Sequence, residues 1–133
     1  RINSVIKSRD FWLPFAPVIK EDRIGDYVLG PKYAPYMIEA FDSTPLGREH
    51  LIAAMHQSDH TLRPQVLRRE WNPGYYGILQ KVEDETGQGG LLNTSANITG
   101  EPIIHGAKEA FSMFQRSGLK HLVLGDYLLS KKE

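Results

Sequence analysis

The chain has 133 residues, 41% of them hydrophobic, with 16 Lys plus Arg balanced against 16 Asp plus Glu and no cysteine. That length fits one domain, and the absence of cysteine excludes disulfides, thiol nucleophiles and thiolate metal sites, as suits a cytoplasmic protein. Charge balance removes any global pull toward nucleic acid or anionic lipid, and no apolar run approaches the roughly 18 residues that a membrane helix needs.

The chain opens on Arg1-Ile2-Asn3, without Met, directly in patterned sequence. It reads as a fragment of a longer protein. Asn3 is expected to cap a short helix through Val5, Ile6 and Lys7. Phe11 to Ile19 is an apolar run broken by Pro14 and Pro17, which predicts an extended edge or irregular segment and not a central strand. Tyr36 to Phe41 reads as a strand. Thr44-Pro45 could start a helix. Leu51 to Met55 and Leu62 to Leu67, however, flank the polar stretch Gln57 to His60, and that pattern favours a hairpin.

Asn72-Pro73 supplies a helix cap and a first-turn proline. Tyr75, Ile78, Leu79 and Val82 then recur at i, i+3, i+4 and i+7, and Gly87 closes the segment. Leu91-Leu92 is expected to be a short buried strand leading into a polar loop from Asn93 to Gly100. A second amphipathic helix follows, with Ala107, Ala110, Phe111 and Phe114 on one face and Gly118 at its end. Leu122 to Leu124 and Tyr127 to Leu129 flank the turn Gly125-Asp126. Mixed hairpin-like and crossover-like connections predict an α/β fold, with helices packed on a mixed sheet.

Three stretches carry candidate chemistry. Lys7-Ser8-Arg9 places two cations two positions apart, on one face if the segment is extended. Cations side by side call for an anion between them, which Arg can grip with two parallel bonds; a solvated surface is the plainer alternative. In Leu91 to Pro102 a strand ends and six small polar or Gly residues fall between Asn93 and Gly100. Hydroxyls and free N–H groups there could form a neutral anion cradle, or simply a turn. In Thr61-Leu62-Arg63-Pro64-Gln65, strand alternation sets Thr61, Arg63 and Gln65 on one face and Leu62 on the other. That face would be a phosphate clamp or a polar outer surface. Among the histidines His50, His56, His60, His105 and His121, the pair His56 and His60 has the i, i+4 spacing that suits a metal on a helix. The hairpin reading separates that pair across a turn, so no metal site is expected. Neither a Walker P-loop nor Gly-x-Gly-x-x-Gly occurs.

Lys7-Ser8-Arg9, then Arg63-Pro64 after a turn, then Thr94-Ser95-Ala96-Asn97 followed by Gly100, resembles the YrdC-like nucleotide-binding fold. The wider context is similar to the C-terminal domain of the nodulation- and antibiotic-type O-carbamoyltransferases. That context includes Ile2-Asn3, Trp12 to Pro17, Pro35 to Ile38, Phe41-Asp42, Asn72-Pro73, Gly100 to Ile103 and Leu124-Gly125, in order.

The resemblance implies a YrdC-like twisted mixed sheet with packed helices over residues 1–133, a partial domain whose kinase-like N-terminal partner is absent. It implies that carbamoyl phosphate and ATP give carbamoyl-adenylate, with Mg²⁺ arriving on ATP, and that the carbamoyl group then passes to a hydroxyl on a small molecule or sugar. Lys7, Arg9 and Ser95 would be the catalytic group; Arg63, Thr94 and Asn97 would complete the nucleotide site. Acceptor selection would belong to the absent domain. Ala96, where these carbamoyltransferases often carry Phe, matches the related threonylcarbamoyl-adenylate synthases of tRNA modification. Such a synthase, an RNA-binding module and an inactive packing domain are the rival readings.

Overall fold

A computed structural model describes residues 1–132; the expected domain end at position 133 lies outside the described residues. The chain forms two compact units. One comprises residues 1–13 and those from Ser95 onward, and the other is Pro14–Thr94.

The Pro14–Thr94 unit is built on a three-stranded sheet. Strand β1 (Ala16–Lys20) is fully buried and central. The pair β2 (Phe41–Asp42) and β3 (Thr61–Leu62) is antiparallel and lies outside that sheet. Strand β4 (Gln65–Leu67) runs parallel to β1, pairing Val18 with Gln65, and β5 (Gly90–Asn93) runs antiparallel, pairing Ala16 with Asn93. The sheet is therefore mixed, as expected. Side chains of β1 alternate between its faces. Val18 joins Leu67, Tyr76 and Leu79 in one apolar cluster. Ile19 joins Tyr27, Val28, Phe41, Leu51, Leu62 and Val66 in another. A strand covered on both faces reads as a continuous apolar run.

The central position of β1 corrects the expectation that Pro17 excludes one. Lys20 donates its N–H to the Gly89 carbonyl at 3.2 Å. Even-numbered residues of β1 thus aim their N–H at the β5 side, and Pro17 aims the other way. Pairing with β4 begins only at Val18, so the missing Pro17 donor costs no ladder bond.

Helix α1 (Ile24–Tyr27) is one turn long. Helix α2 (Pro45–His50) is capped by Thr44, whose Oγ1 accepts from Gly47 N at 3.0 Å. A 3₁₀ turn, Ile52–Ala54, follows. The Leu51–Met55 hairpin arm therefore does not exist, because Thr44-Pro45 prevails as a helix start. The expected strand from Tyr36 shrinks to Phe41–Asp42: Met37 sits at φ 54° in a turn and Ile38 is 78% exposed.

Helix α3 (Pro73–Thr86) begins and ends as the sequence predicts. Asn72 accepts from Tyr75 N at 3.0 Å, and Gly87 takes the left-handed conformation at φ 76°. Its buried residues are Tyr76 and Leu79, whereas Ile78 is 56% exposed, so the buried face is rotated from the one expected. Full burial of a residue such as Leu79 contributes about 1.5–3 kcal/mol.

In the other unit, residues Ile2–Lys7 form a single π-helical segment, whose wide i→i+5 turns are rare and concentrate at functional sites. Asn3 lies inside it and does not cap it. Helix α4 (Ala107–Arg116) buries Ala110, Met113 and Phe114; Phe111, expected on that face, is exposed. It ends on Ser117, one residue before Gly118. Strands β6 (His121–Leu124) and β7 (Tyr127–Ser130) form an antiparallel hairpin around Gly125-Asp126. Among the described residues no helix is long and apolar enough to cross a membrane.

Candidate functional site

Lys7, Ser95 and Asn97 converge within the terminal unit, although Lys7 and Ser95 stand 88 positions apart. Lys7 ends the π-helical segment and is buried. Its Nζ donates to the Ser95 carbonyl at 2.6 Å, to Asn97 Oδ1 at 2.7 Å and to Ser95 Oγ at 3.3 Å. Ser95 Oγ also donates to Asn97 Oδ1 at 2.7 Å. An ammonium has three donors, and all three meet protein acceptors here. A phosphate oxygen would therefore bind by exchanging with one of them. Burial, and secondly the nearby Arg9 charge, push the Lys7 pKa down from 10.5.

Ser8 sits in the left-handed region at φ 53°. Lys7 and Arg9 are thus not alternate residues of an extended segment, and the expected shared face is corrected. The left-handed residue turns Lys7 inward and lets Arg9 fold back. Arg9 Nε donates to Asn3 Oδ1 at 2.6 Å. Asn3, also buried, donates from Nδ2 to the carbonyls of Phe11 at 3.0 Å and Leu13 at 2.9 Å. One buried amide therefore ties both flanks of the cation pair together.

The strap after β5 is also held from within. Asn97 Nδ2 donates to the Glu101 carbonyl at 2.9 Å, Ile104 N donates to the Ala96 carbonyl at 3.0 Å, and Thr99 N donates to the Lys7 carbonyl at 2.9 Å. Gly100 takes φ 87°, a value that favours glycine. Arg116 on α4 grips the Glu101 carboxylate with two bonds, at 2.6 and 2.8 Å, and lowers its pKa.

Thr94 and Arg63 belong to the other unit. Thr94 is exposed at the end of β5. Arg63 is exposed between β3 and β4, while Leu62 and Pro64 beside it are buried, so the alternation expected for that stretch holds. Gln65 accepts from Asn93 at 2.9 Å. His56 and His60 lie on one tight turn, where His60 N donates to the His56 carbonyl and His56 meets Asp59 at 2.8 Å. Among the described residues no three His, Asp or Glu side chains gather as a metal site.

Asn3, Glu101 and Arg116 escaped the sequence reading as site-forming residues. Asn3 resembled a helix cap, and the 15-residue separation of Glu101 from Arg116 has no local spacing signature.

A family model described as "Carbamoyltransferase C-terminus" matches residues 1–131. The chain is 38% identical over 131 residues to protein MJ1051 of Methanocaldococcus jannaschii, covering 98% of this chain and 25% of that one. It is 32% identical over 135 residues to nodulation protein NolO of Bradyrhizobium diazoefficiens, covering 99% of this chain and 24% of that one. It is 28% identical over 136 residues to a 3'-hydroxymethylcephem-O-carbamoyltransferase of Amycolatopsis lactamdurans, covering 100% and 25%. The chain spans about a quarter of the length of these curated relatives.

Proposed function

This chain belongs to the carbamoyltransferase C-terminal family, and from that membership we propose that it holds the phosphate of a carbamoyl-adenylate during O-carbamoyl transfer. The Lys7–Ser95–Asn97 cluster is the observation that supports this reading. It is a buried cation at the root of a strap rich in hydroxyl, amide and N–H donors.

Carbamoyl phosphate first gives up phosphate to water and leaves carbamate. A carbamate oxygen then attacks the α-phosphorus of ATP, and pyrophosphate departs. An acceptor hydroxyl next attacks the carbonyl carbon, loses its proton and expels AMP. Carbamate alone is a poor electrophile; adenylation provides the leaving group. The protein contributes position and charge neutralisation. In this proposal Lys7 meets the phosphate charge with the charge of Arg9 nearby, and Ser95 and Asn97 donate to phosphate or carbamoyl oxygen. Mg²⁺ would arrive with ATP and would supply charge neutralisation at its phosphates. The hydroxyl acceptor is left to the part of the protein that lies outside this chain.

Charge-assisted hydrogen bonds contribute about 1.5–3 kcal/mol each. Lys7→Ala and Ser95→Ala in the full-length protein are expected to weaken ATP binding roughly ten- to hundredfold for Lys7 and less for Ser95. Calorimetric titration reads this, and unchanged affinity in both variants overturns the proposal. Pyrophosphate release with carbamoyl phosphate, compared with threonine plus bicarbonate, separates carbamoyl transfer from threonylcarbamoyl-adenylate synthesis.

A further inference from the structure

Arg9 is gripped twice by one residue of the π-helical segment. The Asn3 carbonyl accepts the Arg9 main-chain N–H at 3.0 Å, and the Asn3 side-chain Oδ1 accepts the Arg9 Nε–H at 2.6 Å. We infer that Asn3 is a positioning residue, which turns the Arg9 guanidinium toward the anion held by Lys7 and does so without bringing a negative charge to the site. The inference rests on the reading of Lys7 given above.

Three observations carry it. First, the orientation of the Asn3 amide is dictated from behind. Its Nδ2 donates to the carbonyls of Phe11 and Leu13, at 3.0 and 2.9 Å, so Oδ1 must face Arg9. Asp at this position would turn carboxylate oxygen onto those carbonyls, and Leu would leave them and the Arg9 Nε–H without these bonds. Second, Asn3 is 6% exposed whereas Arg9 is half-buried. A buried amide keeps its partners, so the anchor is the fixed part and the guanidinium is the part that reaches out. The left-handed Ser8 makes the grip possible, since it brings the main-chain N–H groups of Ser8 and Arg9 back onto the Asn3 carbonyl. Third, the charge of Arg9 is felt at Lys7, which places both cations within range of one anion. A carboxylate anchor would hold Arg9 at least as firmly but would offset its charge. A neutral amide holds it and leaves the charge in place.

Titration of the full-length protein with inorganic tripolyphosphate tests this through a double-mutant cycle. Asn3→Leu and Arg9→Met are each expected to weaken binding about tenfold. The combined variant is expected to be no weaker than Arg9→Met alone, because Asn3 acts through Arg9. A purely structural role predicts additive losses, about a hundredfold in the combined variant, and that result overturns the inference, as does unchanged affinity in Asn3→Leu. Asn3→Ser carries the same cycle should Asn3→Leu fail to fold. Asn3→Asp supplies a second readout. Its carboxylate is expected to weaken binding and to move the alkaline midpoint of binding upward, since a nearby negative charge favours the protonated Lys7; an unchanged midpoint contradicts the positioning role. Arg9→Met without effect while Lys7→Ala weakens binding removes Asn3 and Arg9 from the anion and leaves the Lys7 reading standing. Both variants without effect overturns that reading itself.

Discussion

Lys7 concentrates the chemistry of the terminal unit in one titratable group. Its ammonium is buried and lies near Arg9, so both influences favour the neutral amine and lower its pKa from 10.5. In the proposed role, anion affinity falls as pH rises, with a midpoint below the ordinary lysine value. The folded state also releases the proton before the unfolded state does. The unfolded chain then binds more protons, so this group's contribution to stability rises with pH between the depressed value and 10.5. Tripolyphosphate titrations across alkaline pH check the first statement. Lys7→Arg keeps its charge throughout and is expected to flatten the profile. A wild-type midpoint at or above 10.5 would contradict the burial argument.

At the scale of elements, the π-helical segment depends on a partner distant in sequence. Gly118 donates its N–H to the Val5 carbonyl at 2.9 Å, and a Cβ at Gly118 would come within 2.9 Å of that same oxygen. Gly118→Ala therefore drives the two backbones apart, at a cost of about 1–3 kcal/mol. Thermal unfolding is expected to show a lower midpoint for this variant, and an unchanged midpoint would mean that the segment yields freely. Because Lys7 ends that segment, anion binding is expected to fall as well. Elements with strong local signals followed the sequence closely. Asn72, Pro73 and Gly87 bound α3 because cap, first-turn proline and left-handed glycine act over a few residues. The hairpin arm at Leu51–Met55 failed because its apolar spacing served a helix, a 3₁₀ turn and a core contact instead.

Over the whole molecule, the sheet-bearing unit relies on a buried charge at the end of its central strand. Lys20 is 1% exposed and pairs with the Glu83 carboxylate on α3, and Gln80 Oε1 accepts from the same ammonium at 2.8 Å. Glu83 also pairs with Arg23. Removing one partner leaves a buried charge without its counter-ion, which typically costs about 3–5 kcal/mol. Glu83→Ala is therefore expected to lower the urea midpoint steeply, while Lys20→Met combined with Glu83→Leu restores much of the loss. A small effect of Glu83→Ala alone would show that Gln80 and Asp22, whose carboxylate lies 3.6 Å from the same ammonium, suffice for Lys20.

Composition, caps, turn glycines and ordered motifs by themselves determined an α/β chain with a mixed sheet, two bounded helices, a terminal hairpin and a polar strap after a strand. The family resemblance carried by those motifs implied that Lys7, Ser95 and Asn97 share a site. Only the tertiary structure decided that Pro17 stands in a central strand, that Ser8 turns Lys7 away from the face of Arg9, and that Glu101 and Arg116 fasten the strap. The reason is range. Backbone propensity and capping act over three or four residues and leave a periodic trace. Burial of an ammonium, or a bond across 88 positions, depends on which surfaces meet, and no spacing in the chain encodes that.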